Sequence, residues 1–269
     1  MNIVLATDSN YLVHAEVTIK SLVAHHQNIN IFVLHADQVS HTWVEQLNQI
    51  VGARGIKVML ANVSAEMLQA FKGNGYISNS TYLRYYIERL FPYGNGNKWL
   101  YLDSDTIVNG YLGEPFETEA FSQNMLLAIQ DPYVMNLPNY PFMQDAYFNA
   151  GVLYINAQHW KGMEAKLIEF TLQNQAQLRF GDQDVLNAVV GKQWQAIPMV
   201  YNYQCMHMYN PQIAKGEPLV FHFTGEIKPW HDVPQLYYRS MYWHYFQLDW
   251  YEVVAQPIGH FKAEFVKLT

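Results

Sequence analysis

Residues 98–108 read Lys-Trp-Leu-Tyr-Leu-Asp-Ser-Asp-Thr-Ile-Val, an apolar run that ends in two acids one residue apart. If Trp99 to Leu102 form a buried strand, Asp103 and Asp105 stand at its carboxyl end. Residues i and i+2 of an extended chain point the same way, so both carboxylates can face one point. Two carboxylates side by side repel unless a cation lies between them. Hard oxygen ligands in this arrangement suit Mg²⁺ or Mn²⁺ already carrying a phosphate. The carboxyl ends of α/β strands are also where such folds take nucleotides. The pair therefore hints at a metal–diphosphate site, although Asp-x-Asp by itself recurs in many loops that merely face water.

Four other segments carry chemistry. Ala6-Thr7-Asp8-Ser9-Asn10-Tyr11 combines an acid, an amide and an aromatic ring, a set able to hydrogen-bond a base or ribose and stack on it. Phe148-Asn149-Ala150-Gly151 enters a strand with two small residues, which lets a ligand approach the backbone. Gly181-Asp182-Gln183-Asp184 places polar groups at a helix start, with Asp182 as the expected cap. The segment from His222 to His231 joins an imidazole to Gly225, Lys228 and Trp230. Taken singly, each has a plainer reading. Asp8 could serve a helix dipole, Asp182 an N-cap, Arg84 a surface ion pair, Asn149 a turn and His222 a strand interior.

The elements that must position these groups alternate. Strands are expected at Asn2–Ala6, Ile29–His35, Gly55–Leu60 and 98–102. Helices are expected at Tyr11–His25 (with Asn10 as N-cap), Thr42–Val51, Ala65–Phe71 and Thr81–Phe91. That order predicts an α/β fold with a mostly parallel sheet covered by helices. Further on, strands are expected at Met125–Ile129, Gly151–Asn156 and Val220–Phe223, and helices at Lys161–Gln175, Asp182–Val190 and Leu236–Tyr251. No repeat or linker interrupts the 269 residues, so one domain over 1–269 is expected.

Composition narrows the function classes. A net charge of −7 argues against a nucleic-acid surface and a polybasic membrane anchor. The single Cys205 excludes an internal disulfide and a cysteine-based zinc site. No apolar stretch is long enough to span a bilayer, and the first residues lack a basic, signal-like region, so a cytoplasmic protein is expected. The 20 Tyr, 14 Phe and 7 Trp exceed ordinary core needs, with a cluster over the terminal helix at 236–251. Core or dimer packing is the favoured reading of that cluster, and peripheral membrane association at the inner face is the alternative.

In their order, the motifs resemble the family 8 glycosyltransferases, retaining nucleotide-sugar enzymes. The resemblance runs from Asn2 to about His231. It rests on Ala-Thr-Asp-x-Asn-Tyr, Ser-Thr-Tyr-Leu-Arg (80–84), Leu-Tyr-Leu-Asp-Ser-Asp, Phe-Asn-Ala-Gly-Val, Asp-Gln-Asp-Val-Leu-Asn and His-Phe-Thr-Gly-x-x-Lys-Pro-Trp. It implies a single-domain, Rossmann-like GT-A fold with bound Mn²⁺. Asp103, Asp105 and His222 would be the metal ligands, and one imidazole among oxygens shifts preference from Mg²⁺ toward Mn²⁺. Asp8, Asn10 and Tyr11 would bind uridine, with Ala6 and Ser104 in the donor-binding set. Arg84 would lie near the donor sugar and its diphosphate, and Asn149, Ala150, Asp182 and Gln183 would line the hexose. Gly225 and Lys228 would contact the diphosphate.

The implied reaction moves galactose or glucose from a UDP-hexose to a saccharide or glycoconjugate acceptor. A glutamine is a poor nucleophile, so Gln183 is expected to stabilise oxocarbenium-like charge during front-face displacement. Asp182 and Asp184 are the alternative nucleophiles or sugar ligands. Acceptor loops are expected at Gly73–Asn79 and Gln204–Gln212. Two competing classes fare worse. A haloacid-dehalogenase-type phosphatase would open on its acid-bearing strand, whereas this strand lies about a hundred residues in. A silent binding module would have lost Asp103, Asp105, His222 or Lys228, and all are present.

Overall fold

The computed structural model describes residues 1–71, 79–205, 217–232 and 238–260. Three short apolar runs open it as strands β1 (Asn2–Ala6), β2 (Asn30–His35) and β3 (Lys57–Asn62). Between them lie the helices α1 (Leu12–His25) and α2 (His41–Val51). The acid-bearing run forms β4 (Lys98–Leu102), followed at once by β5 (Thr106–Val108). Then come β6 (Leu126–Gln130), β7 (Phe148–Asn156), helices α5 (Met163–Asn174) and α6 (Asp182–Val190), and the short strands β8 (Trp194–Ala196), β9 (Tyr203–Gln204) and β10 (Val220–His222). Two minor helices, α3 (Ala65–Gln69) and α4 (Glu119–Gln123), complete the numbering.

Seven strands form the main sheet in the order β3-β2-β1-β4-β7-β6-β8. Only β7 runs against its neighbours, so the sheet is mostly parallel, as expected. Both faces are covered, which is why its strands read as near-continuous apolar runs. Ile3, Leu5, Leu100 and Leu102 pack toward one core with α1 and α2, while Val4, Trp99 and Tyr101 pack toward another with α6. A second sheet, β5-β10-β9, stands beside the first. In it β10 is antiparallel to β5, pairing His222 with Thr106. No described helix is long and apolar enough to cross a membrane.

The structure departs from expectation in several places. The segment Asn79–Tyr93 is a 3₁₀ helix rather than an α-helix. Asn10 does not cap α1; Tyr11 holds that position, and Asn10 is exposed. Gly181, with φ 55°, precedes α6, so Asp182 is its first residue and not its cap. β7 begins three residues earlier than expected and takes Phe148, Asn149 and Ala150 into the sheet. The expected single terminal helix is two, Arg239–Gln247 and Trp250–Ala255. Asp249 caps the second and forms a reciprocal capping box with Glu252 in its first turn. Residues 236 and 237 lie outside the described residues, as does most of the two expected acceptor loops (72–78 and 206–216).

Candidate functional site

Asp103 and Asp105 converge, but not as alternate residues of one extended strand. Asp103 directly follows β4 and Asp105 directly precedes β5, in the tight turn that joins the two strands. The turn is tied from several sides. Thr106 Oγ1 donates to the Asp103 carbonyl at 2.8 Å and Ser104 Oγ to the Ala6 carbonyl at 2.8 Å. Thr18 Oγ1, on α1, donates to the Thr106 carbonyl at 2.8 Å.

Each carboxylate spends one oxygen on the protein and turns the other toward the same point. Asp103 Oδ1 accepts from Arg84 at 2.9 Å and from the Tyr101 hydroxyl at 2.8 Å, while its Oδ2 lies 3.6 Å from His222 Nε2. Asp105 Oδ2 accepts from the Lys228 ammonium, while its Oδ1 lies 3.3 Å from His222 Nε2. Asp105 Oδ1 is buried and has no hydrogen-bond partner among the described residues. Burial opposes charge on Asp105, but the Lys228 ammonium holds its carboxyl below the usual range. Burial likewise penalises Lys228, and Asp105 outweighs it to hold the ammonium above its ordinary value.

One ligand atom from each of Asp103, Asp105 and His222 lies within 4.8 Å of the others. This donor set, two oxygens and an imidazole nitrogen, suits Mn²⁺. The orphaned Asp105 oxygen is the acceptor a cation would satisfy. Gly151, on β7, leaves the space open: a Cβ there would collide with His222 Cε1 and come 2.6 Å from Asp103 Oδ2. The residues present therefore fit a divalent ion.

This point sits in a cleft of about 880 Å³, within the range of small-molecule sites. Its walls bring together Ala6, Asp8, Tyr11, Arg84, Ser104, Asn149, Ala150, Asp182, Gln183, Gly225 and Lys228. Asp8 does the local work of its plainer reading as well, since its Oδ1 accepts from the backbone N–H of Asn10 and of Tyr11, each at 3.0 Å. Its Oδ2 accepts from Ser80 at 2.9 Å. Tyr11 is partly exposed and meets Trp230 edge to face at 5.6 Å. Gly225 has φ +83°, a conformation open to glycine. Arg84 is no surface residue: it is buried, donating to the Ala150 carbonyl at 2.6 Å and pairing with Asp182 at 2.8 Å. Burial pushes the Asp182 carboxyl up to about 6, against the opposing pull of Arg84.

Gln183 is held rigidly. Its Oε1 accepts from the Ala150 N–H at 3.0 Å and from Asn149 Nδ2 at 3.2 Å. Its Nε2 donates to Asp131 Oδ2 at 3.1 Å. Asn10 and Asp184 are not among the residues lining the cleft. Asp184 is fully buried, its oxygens accepting from Tyr140, Tyr147 and the Phe180 N–H, which leaves it no reach toward a substrate. Of the expected acceptor loops, Gln204 and Cys205 reach the cleft, Asn79 opens the 3₁₀ helix, and the remainder lies outside the described residues.

Several residues of the site went unread in the sequence, among them Tyr101, Asp131 and Asn202. Tyr101 lies in an apolar run, where a buried tyrosine reads as core. Asp131 follows β6 as Asp103 follows β4, an acid just past a strand's carboxyl end, and that position was a usable signal. Asn202, buried between a 3₁₀ turn and β9, offered none.

The pattern described as Glycosyl transferase family 8 matches residues 2–233. The chain is 30% identical to Glycosyltransferase GlyA of Streptococcus pneumoniae serotype 4, across 93% of this chain and 35% of that protein. It is 28% identical to a lipopolysaccharide 1,2-glucosyltransferase of Escherichia coli, across 90% of this chain and 77% of that one. Among solved structures it is similar to the galactosyltransferase LgtC in complex with donor and acceptor sugar analogues. That match has a TM-score of 0.80 and 26% identity, covering 91% of this chain and 95% of the other. The chain spans about a third of the length of GlyA and 63% of that of the related GlyF.

Proposed function

The chain belongs to glycosyl transferase family 8 and has the GT-A fold, and from that premise we propose that it is a retaining hexosyltransferase. It moves galactose or glucose from a UDP-sugar to a saccharide or glycoconjugate acceptor, with Mn²⁺ held by Asp103, Asp105 and His222 and Mg²⁺ as the weaker substitute. One domain carries the reaction, in the cytoplasm or at the inner face of the membrane. The observation that carries this reading is the pair of carboxylates that each keep one oxygen for a shared point beside His222, inside the cleft.

When bound, the ion would hold the diphosphate and draw charge from the departing UDP. Lys228, already on Asp105, is the cation placed to take a share of the same negative charge. Asp8 and Tyr11 hold the uridine end, and Arg84, Asn149, Ala150 and Asp182 the hexose. Retention by double displacement needs a nucleophile under the anomeric carbon. The lone pairs of Gln183 Oε1 already receive two N–H donors, and Asp184 is spent on tyrosines. Asp182 is the remaining candidate, and its partner Arg84 holds it. This favours front-face displacement: the acceptor hydroxyl attacks on the face UDP leaves, its proton passes to the departing phosphate oxygen, and the Gln183 dipole faces the developing positive charge.

The test is incubation with a panel of UDP-sugars and Mn²⁺, following UDP release and the anomeric proton of the product by NMR. An α-glycoside from an α-linked donor is expected. A β-product, or no UDP release with any donor, refutes the reading.

A further inference from the structure

We propose that Asn202 determines which nitrogen of His222 is free to bind metal, and that the backbone N–H of Gly151 dictates that choice through a relay of amides. The proposal rests on the metal site described above. The relay can be followed donor by donor. The Gly151 N–H can only donate, and at 3.0 Å it faces Asn149 Oδ1, so that end of the Asn149 amide must be the oxygen. The other end of Asn149 agrees, since its Nδ2 lies 3.2 Å from Asp131 Oδ2. The same Asn149 oxygen is 2.9 Å from Asn202 Nδ2, which must therefore be the donating end of that amide. Asn202 then presents its oxygen to His222 Nδ1 at 3.0 Å, so the ring proton belongs on Nδ1. A neutral imidazole protonated at Nδ1 has a bare lone pair on Nε2.

That lone pair points where it is costly without a cation. Nε2 lies 3.3 Å from Asp105 Oδ1 and 3.6 Å from Asp103 Oδ2. Left to itself, the ring would place its proton on Nε2 and satisfy the orphaned Asp105 oxygen. That tautomer would put a proton where the metal goes. Asn202 blocks this by claiming the proton for Nδ1. Asn202 is fully buried and His222 nearly so, which keeps water from replacing the amide. Asn202 is thus a positioning residue, and the relay also joins the metal ligand to Asn149 and, through Asp131, to Gln183 on the sugar wall.

The tautomer is read in metal-free protein labelled with ¹⁵N-histidine, by long-range ¹H–¹⁵N correlation at a pH where the ring is neutral. Mn²⁺ affinity is read separately, from free Mn²⁺ by electron paramagnetic resonance, without donor sugar. Wild-type His222 is expected to carry its proton on Nδ1. Asn202→Leu should move the proton to Nε2 and weaken Mn²⁺ binding by about 10- to 100-fold, the usual effect of losing such an outer partner. Asn202→Asp keeps an acceptor for Nδ1 but sets its second oxygen against Asn149 Oδ1, so it should restore the Nδ1 proton and recover Mn²⁺ affinity only in part. An Nε2-protonated wild-type ring overturns the proposal even if every variant misfolds. So does an Asn202→Leu protein with unchanged tautomer and affinity. Wild-type protein that carries the Nδ1 proton yet takes up no Mn²⁺ supports the relay and refutes the metal reading.

Discussion

Asp103 gives one oxygen to Arg84 and Tyr101, and Asp105 gives one to Lys228, so alanine at either position removes a proposed metal ligand, and at 105 it also takes the carboxylate from Lys228, whereas Arg84 keeps Asp182. Asp103→Ala or Asp105→Ala is expected to abolish transfer and to weaken UDP binding, measured by titration calorimetry, because the diphosphate loses its bridging ion. EDTA should do the same to the unmodified protein, and full activity in EDTA would exclude the metal. Gln183 differs in kind. Its amide is oriented by Ala150 and Asp131, and in the proposed mechanism it would face charge that develops only as the sugar departs. Gln183→Ala should lower kcat by roughly 10²-fold, the scale of a lost electrostatic stabiliser, while the donor Kd stays within a few-fold. A large loss of donor affinity with little change in kcat would make it a sugar-binding residue instead.

At the scale of elements, the close approach of β7 to His222 depends on Gly151 having no side chain. Gly151→Ala should leave the secondary structure by circular dichroism intact and lower Mn²⁺ affinity by at least about tenfold, since a ligand must move; unchanged affinity would show the neighbours giving way. Gly151 and His222 were both visible as motif residues, whereas their close approach was not. Elements with a clear period or a long apolar run, such as β1, α1, α2 and β4, were legible. Asn79–Tyr93 was not, because Tyr82 to Ile87 are buried consecutively and no stripe distinguishes a 3₁₀ from an α-helix. The turn at Asp103–Asp105 was missed because β5 spans only Thr106–Val108 and pairs with β10, more than a hundred residues away. The split terminal helix had a readable sign, Asp249 three residues before Glu252, hidden among aromatics. Most cleft residues were found through ordered motifs. Asp131 had a readable place just past β6, whereas Asn202 stands alone in the sequence and gains meaning only from the partners that folding brings it.

For the molecule as a whole, buried histidines make stability depend on pH. His26 sits between the Leu22 carbonyl, 3.1 Å from its Nδ1, and the Leu112 N–H, which donates to its Nε2 at 3.1 Å. A second ring proton would face that N–H. Burial lowers His26 and His25 from 6.5 to about 4. The unfolded chain therefore binds more protons between those values, so the stabilisation is full above pH 6.5 and is lost as pH falls toward about 4. Urea unfolding should show stability dropping through this window, by on the order of 1.4 kcal/mol per pH unit for each such group. His26→Gln should flatten the slope, and a slope unchanged by it would remove His26 from the account. The two sheets add a mechanical consequence. Asp103 stands just past a main-sheet strand, whereas Asp105 leads into the small sheet that carries His222, so an ion held by all three would be a rivet across the seam between them. Mn²⁺ alone, without UDP, should raise Tm, with about 2.7 kcal/mol of added stability at a hundredfold excess over Kd. Amide exchange at Val220–His222 should slow in parallel, so that the proposed ion would both prepare the cleft for chemistry and lock shut the joint on which the cleft is built.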